Sequence, residues 1–410
     1  MKKLLFKMLL ISAYTGLLLT ALISLALYSG LEPAETSSYR SAENSSHDES
    51  SHSDTEPQSD IQEMRGIWLP FMCLTLSRDE QSEAAFRKKA CEILNKCALC
   101  GLNAVIMQVR PFSDALYPSE YYPWSHILTG KQGADPGYDP LKIMVQEAHK
   151  RSIALHAWIN PFRISTAGAP PELSSDNPYI RWKNDSSMND EPFYFEYENC
   201  LYFDPSSSRV RELIINGVRE LAENYDIDGI QIDDYFYPSE DESLDAESYE
   251  KYKSTLSSGS DVLPQTEWRK SCINMLICGM YTAVHSAGKD IVFGIAPQCN
   301  FENNEKMSAD IESWCSRSGY VDYICPQLYV SNEHPVFPFE SLAAEWCGSI
   351  KSENTLLYFG LCLYKVGTDA DSGTWLTGED IIKSQISFLR RRGVNGFILY
   401  SYEYINNYEQ

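Results

Sequence analysis

The chain has 410 residues, of which 43% are hydrophobic and 22% are charged, and its formal net charge at pH 7 is −23. This balance excludes a wholly disordered chain, and the length suits one large domain such as an α/β barrel. The strong negative charge excludes a nucleic-acid binder, because the phosphate backbone would be repelled.

The first 30 residues have the pattern of a targeting segment. Lys2, Lys3 and Lys7 precede an uncharged apolar run at residues 8–28, and a run of that length can span a bilayer. Because the basic residues lie before the run, the positive-inside rule predicts that the rest of the chain lies outside the cytoplasm. Cleavage after Ala26 would release the protein. We therefore expect either a membrane-anchored protein that faces outward, which we favour, or a secreted one.

Residues 31–62 are rich in serine and acidic residues and have few apolar side chains. Such a composition cannot bury enough apolar surface to offset the entropy lost on ordering. We expect a flexible, disordered linker here, followed by the folded part at residues 63–410.

The folded part alternates short apolar runs with helical patterns. The eight strand-like runs are residues 64–69, 103–110, 154–160, 229–235, 291–297, 323–329, 356–364 and 396–401. The helical patterns between them are residues 82–100, 140–151, 208–225, 267–287, 310–318 and 378–392. Eight strands separated by helices predict a single (β/α)8 TIM barrel of the α/β class, whereas an open doubly wound sheet usually has fewer strands.

In such a barrel the active site lies at the carboxyl ends of the strands. Long connections follow the second, third and fourth strands, at residues 111–139, 161–207 and 236–266. Period-two alternation directs one polar or aromatic set toward the barrel axis: Gln108, Arg110, His156, Trp158, Asn160, Gln231, Asp233 and Tyr235. Asp234 points away from the axis if its strand stays regular, whereas a bulge would exchange it with Asp233.

Several motifs resemble glycosyl-hydrolase-like family 10. The matching segments include RGIW at 65–68, QVRPFSDALYPSE at 108–120, HAWINPFR at 156–163, DGIQIDDYFYP at 228–238 and PQLY at 326–329. The sequence departs from the family pattern at residues 297–300. The resemblance implies a barrel glycosidase, since the family includes a cell-division enzyme that acts on peptidoglycan strands stripped of their peptides.

Glycosidic cleavage needs one carboxyl as acid and a second as nucleophile or base. The inward position of Asp233 fits the second role, and the alternative is a structural carboxylate that caps the next loop. For the acid we rank Glu120 before Asp114 and Glu403, and each of them has the alternative of ordering its loop. Asp234 is also a catalytic candidate, with a supporting role if its strand stays regular.

The expected substrate is a bacterial cell-wall glycan. Arg65, Arg110 and Arg163 have the geometry to bind a sugar carboxylate, or they neutralise the acids. Other candidate substrate contacts are Trp68, Gln108, His156, Trp158, Asn160, Tyr235, Gln327, Tyr329 and Tyr364. The aromatic members of this set either stack on sugar rings or belong to the core.

No set of His, Asp and Glu residues has a metal-ligand spacing, so we expect no metal and no cofactor. We expect a monomer, and we expect most of the 12 cysteines to be buried thiols. The alternative function is a non-catalytic glycan-binding barrel at the cell surface.

The connection at residues 161–207 contains many aromatic residues, among them Trp182, Phe193 and Tyr194. They form either a satellite core or the wall of a cleft over Asp233. We expect the cleft, because this connection leaves the rim that carries Trp158 and Asn160.

Overall fold

The fold is described by a computed structural model that covers residues 62–188, 191–234, 236–376 and 381–408. The expected targeting segment and the expected linker, up to residue 61, lie outside the described residues. Residues 60–410 belong to one compact unit. Within the described ranges, every helix is too short or too polar to cross a membrane.

Eleven strands occur in the described part of the chain. In chain order they are β1 (Met64–Leu69), β2 (Ala104–Arg110), β3 (Ala154–Ile159), β4 (Arg163–Ser165), β5 (Tyr194–Tyr197), β6 (Cys200–Phe203), β7 (Gly229–Ile232), β8 (Val292–Ile295), β9 (Tyr323–Ile324), β10 (Leu356–Cys362) and β11 (Gly396–Tyr400). Eight of them form a closed parallel barrel in the order β1-β2-β3-β7-β8-β9-β10-β11. The predicted (β/α)8 barrel is therefore confirmed.

Helices connect the barrel strands. The longer ones are α1 (Glu83–Leu99), α2 (Pro140–His149), α3 (Ser208–Asn224), α4 (Ala246–Thr255), α5 (Gln265–Ser286), α6 (Phe339–Ser349) and α7 (Ile381–Arg391). Shorter helical segments are His126–Thr129, Pro178–Lys183, Phe301–Lys306, Ile311–Ser316 and Ala370–Gly373. Helices α4 and α6 were not predicted from the sequence, whereas the other long helices lie within a few residues of their predicted bounds.

Local sequence signals explain where the first helices begin and end. The Ser82 hydroxyl accepts a hydrogen bond from the Ala85 N–H at the start of α1, and Gly101 follows the helix with a positive φ of 68°. Asp139 caps α2 by accepting from the Lys142 N–H, and Pro140 occupies the first turn, where its missing N–H costs nothing.

The alternation of the strands separates two cores. Outward-facing residues such as Ile230 and Ile232 pack with the helices in the main core. The interior of the barrel holds a smaller cluster: Trp68, Ala104, Ile106, Trp158, Ala296, Tyr323, Cys325, Tyr358 and Ile398. The opening above this cluster, at the carboxyl ends of the strands, is called the barrel mouth below.

The long connection after β3 forms a small antiparallel sheet in the order β4-β6-β5. Its aromatic side chains pack on one another: the Trp182 ring lies 5.5 Å from Phe193 and 5.7 Å from Phe203. Phe193 and Phe203 are buried within the main core. The expectation that these rings wall a cleft is therefore wrong, because they bury their faces against each other as a satellite core.

All 12 cysteines lie in the described part of the chain and are free thiols. Five are buried, six are partly buried and Cys278 is exposed, so the expectation that most are buried is wrong.

Candidate active site

Asp233 lies directly after β7, on the side of the mouth that β3 borders. Its side chain is only 6% exposed, and Oδ2 accepts hydrogen bonds from the Trp158 indole N–H at 3.3 Å and from the Asn160 amide. Both donors come from the end of β3, which pairs with β7 through Trp158 and Gln231. These two donors hold the Asp233 carboxyl group in place, with Oδ2 as a hydrogen-bond acceptor.

The donor Asn160 is itself held by a chain of hydrogen bonds. Its Oδ1 accepts from the Gln108 side-chain amide at 2.6 Å, and Gln108 Oε1 accepts from the Phe71 backbone N–H at 3.2 Å. This chain orients each amide, so that Asn160 presents its NH2 group to Asp233. Gln108, Trp158 and Asn160 thus all lie on the inner side, as the alternation predicts.

Asp234 also faces the mouth, although a regular strand would direct it away. Since β7 ends at Ile232, the alternation stops there, and Asp234 Oδ1 accepts from Gln327 Nε2 at 3.2 Å. Desolvation in the narrow opening raises the pKa of Asp234 to about 6, against hydrogen bonds from Gln327 and Gln298 and the charge of Arg163, which lower it. The direction expected of Asp234 in a regular strand is therefore wrong, whereas its place among the catalytic candidates stays a prediction.

Three partly buried tyrosines form the opposite side of the mouth. The rings of Tyr329 and Tyr400 are 5.5 Å apart, and Tyr364 lies 6.1 Å from Tyr329 and 6.2 Å from Tyr400. Tyr400 also lies 5.9 Å from Trp68. Burial raises the pKa of Tyr400 to about 12, and the charges of Glu403 and, to a smaller extent, of Asp233 add to this rise. We call Tyr329, Tyr364 and Tyr400 the tyrosine wall.

Arg163 is the predicted arginine that remains near the mouth. Its Nε donates to the Pro111 carbonyl at 2.9 Å, and its guanidinium lies 5.1 Å from the centre of the Phe112 ring. Its charge partly opposes the burial that raises the pKa of Asp234 and of Tyr400.

Trp68 and His156 point inward but lie below the mouth. The Trp68 indole donates to Gln231 Oε1 at 2.6 Å, and a ring nitrogen of His156 lies 3.0 Å from the Tyr323 hydroxyl. The His156 ring fills the space over Gly229, where a Cβ would approach it to 2.5 Å. Burial lowers the pKa of His156 to about 4. Both side chains are parts of the barrel interior.

The inward direction predicted for Arg110 is wrong. A β-bulge between Gln108 and Arg110 shifts the register, so that Arg110 pairs with the outward-facing Ile159. The fully buried guanidinium lies 4.4 Å from the centre of the Tyr122 ring. A Cβ on Gly217 of α3 would come within 2.6 Å of it. Arg110 therefore packs between the barrel and α3.

Arg65 lies at the opposite end of the barrel from the mouth. It is the second residue of β1, its Nε donates to the Gly101 carbonyl at 2.8 Å, and Nη1 lies 3.7 Å from Glu63. The prediction of a substrate contact is wrong for Arg65, because the amino ends of the strands form the other face of the barrel.

The three predicted acids are all bound or directed elsewhere. Asp114 is fully buried and accepts from the Phe112 N–H and from Gln132 Nε2, so it orders its own loop. Glu120 is exposed beside α3, where its backbone N–H donates to Glu220 at 2.6 Å. Glu403 is exposed and borders a surface cavity together with Lys89 of α1.

Two further residues at the mouth were not predicted. Gln298 hydrogen-bonds Asp234 and lies in the segment that departs from the family pattern. Tyr400 was visible in the alternation, because it lies two residues beyond the inward-facing Ile398. Tyr235, which was predicted, lies outside the described residues. Among the described residues, no three His, Cys, Asp or Glu side chains are grouped so that they could hold a metal ion.

The mouth thus combines two carboxyl groups in different environments with an aromatic wall, at the site where barrel enzymes perform catalysis. A family model described as glycosyl hydrolase-like 10 matches residues 63–376. The chain belongs to this family. It is accordingly a glycoside hydrolase.

Curated relatives of the family carry the same designation. The chain is 32% identical over 359 residues to glycosyl hydrolase YngK of Bacillus subtilis (strain 168), and the match covers 82% of this chain but only 66% of that protein. It is 29% identical over 388 residues to glycosyl hydrolase DigH of Escherichia coli (strain K12), covering 85% of both chains.

Solved structures show the same fold at low sequence identity. The glycoside hydrolase domain of PgaB (BpsB) from Bordetella bronchiseptica has a TM-score of 0.53 and 14% identity, over 84% of this chain and 96% of that one. The catalytic domain of β-amylase from Paenibacillus polymyxa also has a TM-score of 0.53, with 11% identity over 84% and 94%. These likenesses concern the fold alone.

Proposed function

We propose that this glycoside hydrolase cleaves glycosidic bonds of a bacterial cell-wall glycan, namely the glycan strands of peptidoglycan, outside the cytoplasm. The observation that carries the proposal is the pair Asp233 and Asp234 at the barrel mouth. The family resemblance supports the choice of peptidoglycan, and the apolar run at residues 8–28 supports the location. The protein acts as a monomer, anchored in the cell membrane or secreted after cleavage.

The two carboxyl groups suit different roles. A general acid works best when its pKa lies near the working pH, and burial raises the pKa of Asp234 to about 6. Asp234 therefore protonates the leaving oxygen. Asp233, which accepts hydrogen bonds from Trp158 and Asn160, is the carboxylate that acts at the sugar ring.

The tyrosine wall provides the binding surface. Aromatic faces pack well against the apolar faces of sugar rings, and each such contact contributes about 1 kcal/mol. Because the wall lies across the mouth from the Asp233 side, a glycan bound on these rings passes over both carboxyl groups.

The test uses the full chain and purified peptidoglycan, both intact and stripped of its peptides. We expect new reducing ends to form on the peptide-free glycan, and we expect Asp233→Asn to abolish them while expression and melting temperature stay near those of the wild type. Asp261→Asn, which changes an exposed aspartate, is the matched control.

Retention of the protein on the glycan without new reducing ends would favour the glycan-binding barrel instead. Full activity of Asp233→Asn would refute the role given to this residue. A large loss of stability in that variant would indicate a structural carboxylate.

A further inference from the structure

We infer that the sugar whose C1 is attacked carries a 2-acetamido group, and that the oxygen of this group is the nucleophile, with Asp234 as proton donor and Asp233 as the acceptor of the acetamido N–H. This inference rests on the proposed function and deepens it. It names the substrate class as N-acetylated aminosugars and assigns a separate role to each aspartate.

The placement of the two carboxyl groups is unusual for attack on C1 by an enzyme carboxylate or by water. When an enzyme carboxylate or an activated water attacks C1, the second carboxyl must lie on the opposite face of the sugar, roughly 5 to 9.5 Å from the acid. Asp233 and Asp234 are instead consecutive residues that directly follow one strand, β7. Their partners come from different strands, the end of β3 for Asp233 and Gln327, after β9, for Asp234.

The other predicted carboxyls, those of Asp114, Glu120 and Glu403, have different surroundings. Asp114 is fully buried in its own loop, where both of its oxygens have partners. Glu120 lies outside the barrel beside α3. Glu403 is exposed and borders a cavity beside α1, although its charge also reaches Tyr400. Among the described candidates, Asp233 and Asp234 are the carboxyl groups that hydrogen-bond side chains of the mouth, and the nucleophile is assigned to the substrate.

The surroundings of Asp233 suit an acetamido group. Its Oδ2 is held by two N–H donors, and a carboxylate has about four acceptor sites, so it can also orient an amide N–H. The Trp158 indole contacts Asp233, and Tyr400 lies close enough to Asp233 that the aspartate's charge contributes to the raised pKa of Tyr400. Trp68 lies beneath Tyr400. These aromatic faces offer an apolar floor for the acetamido methyl group.

Besides the glycan, the reaction requires only water. The acetamido oxygen forms a bond to C1 as the bond from C1 to the glycosidic oxygen breaks, and the Asp234 proton passes to the leaving oxygen. Asp233 accepts the hydrogen bond of the N–H, which becomes acidic as the oxazolinium ring forms. Water then attacks C1, the ring oxygen returns to the acetamido group, and the water proton passes to Asp234. The product retains the configuration at C1.

The experiment compares three forms of the same peptide-free glycan with the full chain: native, chemically N-deacetylated, and deacetylated then re-acetylated. We expect the deacetylated form to be cleaved at least 100-fold more slowly, the re-acetylated form to recover, and the first product to have the retained configuration. A thiazoline analogue of N-acetylglucosamine, which mimics the ring intermediate, should inhibit competitively.

The other outcomes distinguish a failure of the inference from a failure of the proposed function. Comparable cleavage of the native and deacetylated glycans, an inverted product, or a covalent fluorosugar adduct on Asp233 would overturn the inference and leave the proposed function intact. Cleavage of none of the three forms would overturn the proposed function itself. If the protein retains the deacetylated glycan as tightly as the native glycan, a failure to bind cannot explain the slow cleavage of the deacetylated form.

Discussion

The two sides of the barrel mouth are built differently. On the side of β2, β3 and β7, a chain of directional hydrogen bonds runs from Gln108 through Asn160 to Asp233. On the side of β9, β10 and β11, partly buried tyrosine rings contact each other at centroid distances of 5.5 to 6.2 Å. Hydrogen bonds fix atoms in direction and distance, whereas ring contacts tolerate small shifts. Under the proposed function, the first side performs the chemistry and the second holds the glycan, and we expect substitutions on the two sides to affect different kinetic constants.

The largest effect is expected at the proton donor. We expect Asp234→Asn to lower kcat by at least about 1,000-fold, because an amide cannot supply the proton, while glycan binding is kept. Asp261→Asn, on an exposed part of the surface, should leave kcat unchanged. If Asp234→Asn keeps more than a tenth of the wild-type activity, Asp234 is not the acid.

The same variant tests the raised pKa through stability. The folded-state pKa of Asp234, about 6, lies above its ordinary value of 3.8, so folding favours the protonated form. Its contribution is complete below pH 4 and is lost as the pH rises through 6. Asp234→Asn, which stays neutral, should therefore be more stable than the wild type at pH 7.5, by up to about 3 kcal/mol, and equally stable at pH 4. Thermal unfolding at both pH values measures this difference.

A smaller effect is expected within the hydrogen-bond chain. Asn160→Ala removes one donor to Asp233, and we expect kcat to fall about 10- to 100-fold with KM nearly unchanged. Gln108→Leu leaves Asp233 with both donors but releases the Asn160 amide, so its loss of kcat should be smaller. If both variants instead raised KM as much as they lowered kcat, the division between the two sides would be contradicted.

The sequence predicted the chemical side of the mouth better than its surroundings. Alternation placed Gln108 and Trp158 correctly, because a paired parallel strand leaves no other choice of side, and it still held at Asn160 and Asp233, the first residues after β3 and β7. It failed where the strand pairing ends or shifts: the bulge before Arg110 and the early end of β7 before Asp234 both reverse the expected direction.

Loop residues could not be placed by such a rule. The direction of Asp114 and Glu120 depends on partners that are distant in sequence, such as Gln132 and Glu220. By contrast, the missed helix α6 had a readable signal, because Phe339, Leu342, Ala343 and Trp346 recur at helical spacing and are all buried.

The tyrosine wall should affect binding more than chemistry. We expect Tyr364→Ala to raise KM for the glycan about 5- to 10-fold, which corresponds to about 1 kcal/mol of lost ring contact, and to change kcat less than twofold. Tyr194→Ala, which removes an exposed aromatic ring of the outer sheet, is the control and should leave both constants unchanged. A fall in kcat without a change in KM would place Tyr364 on the chemical side instead.

The smallest effect on glycan cleavage is expected in the satellite core. Trp182 is partly buried against Phe193 and Phe203, and its removal leaves a cavity between two rings. We expect Trp182→Ala to lower the free energy of unfolding by about 2 to 3 kcal/mol, below the cost of truncating a fully buried tryptophan. At temperatures where the variant stays folded, KM and kcat should equal those of the wild type. If instead KM rises and the melting temperature is kept, the aromatic connection does wall the cleft, and the glycan is held from both sides of the mouth.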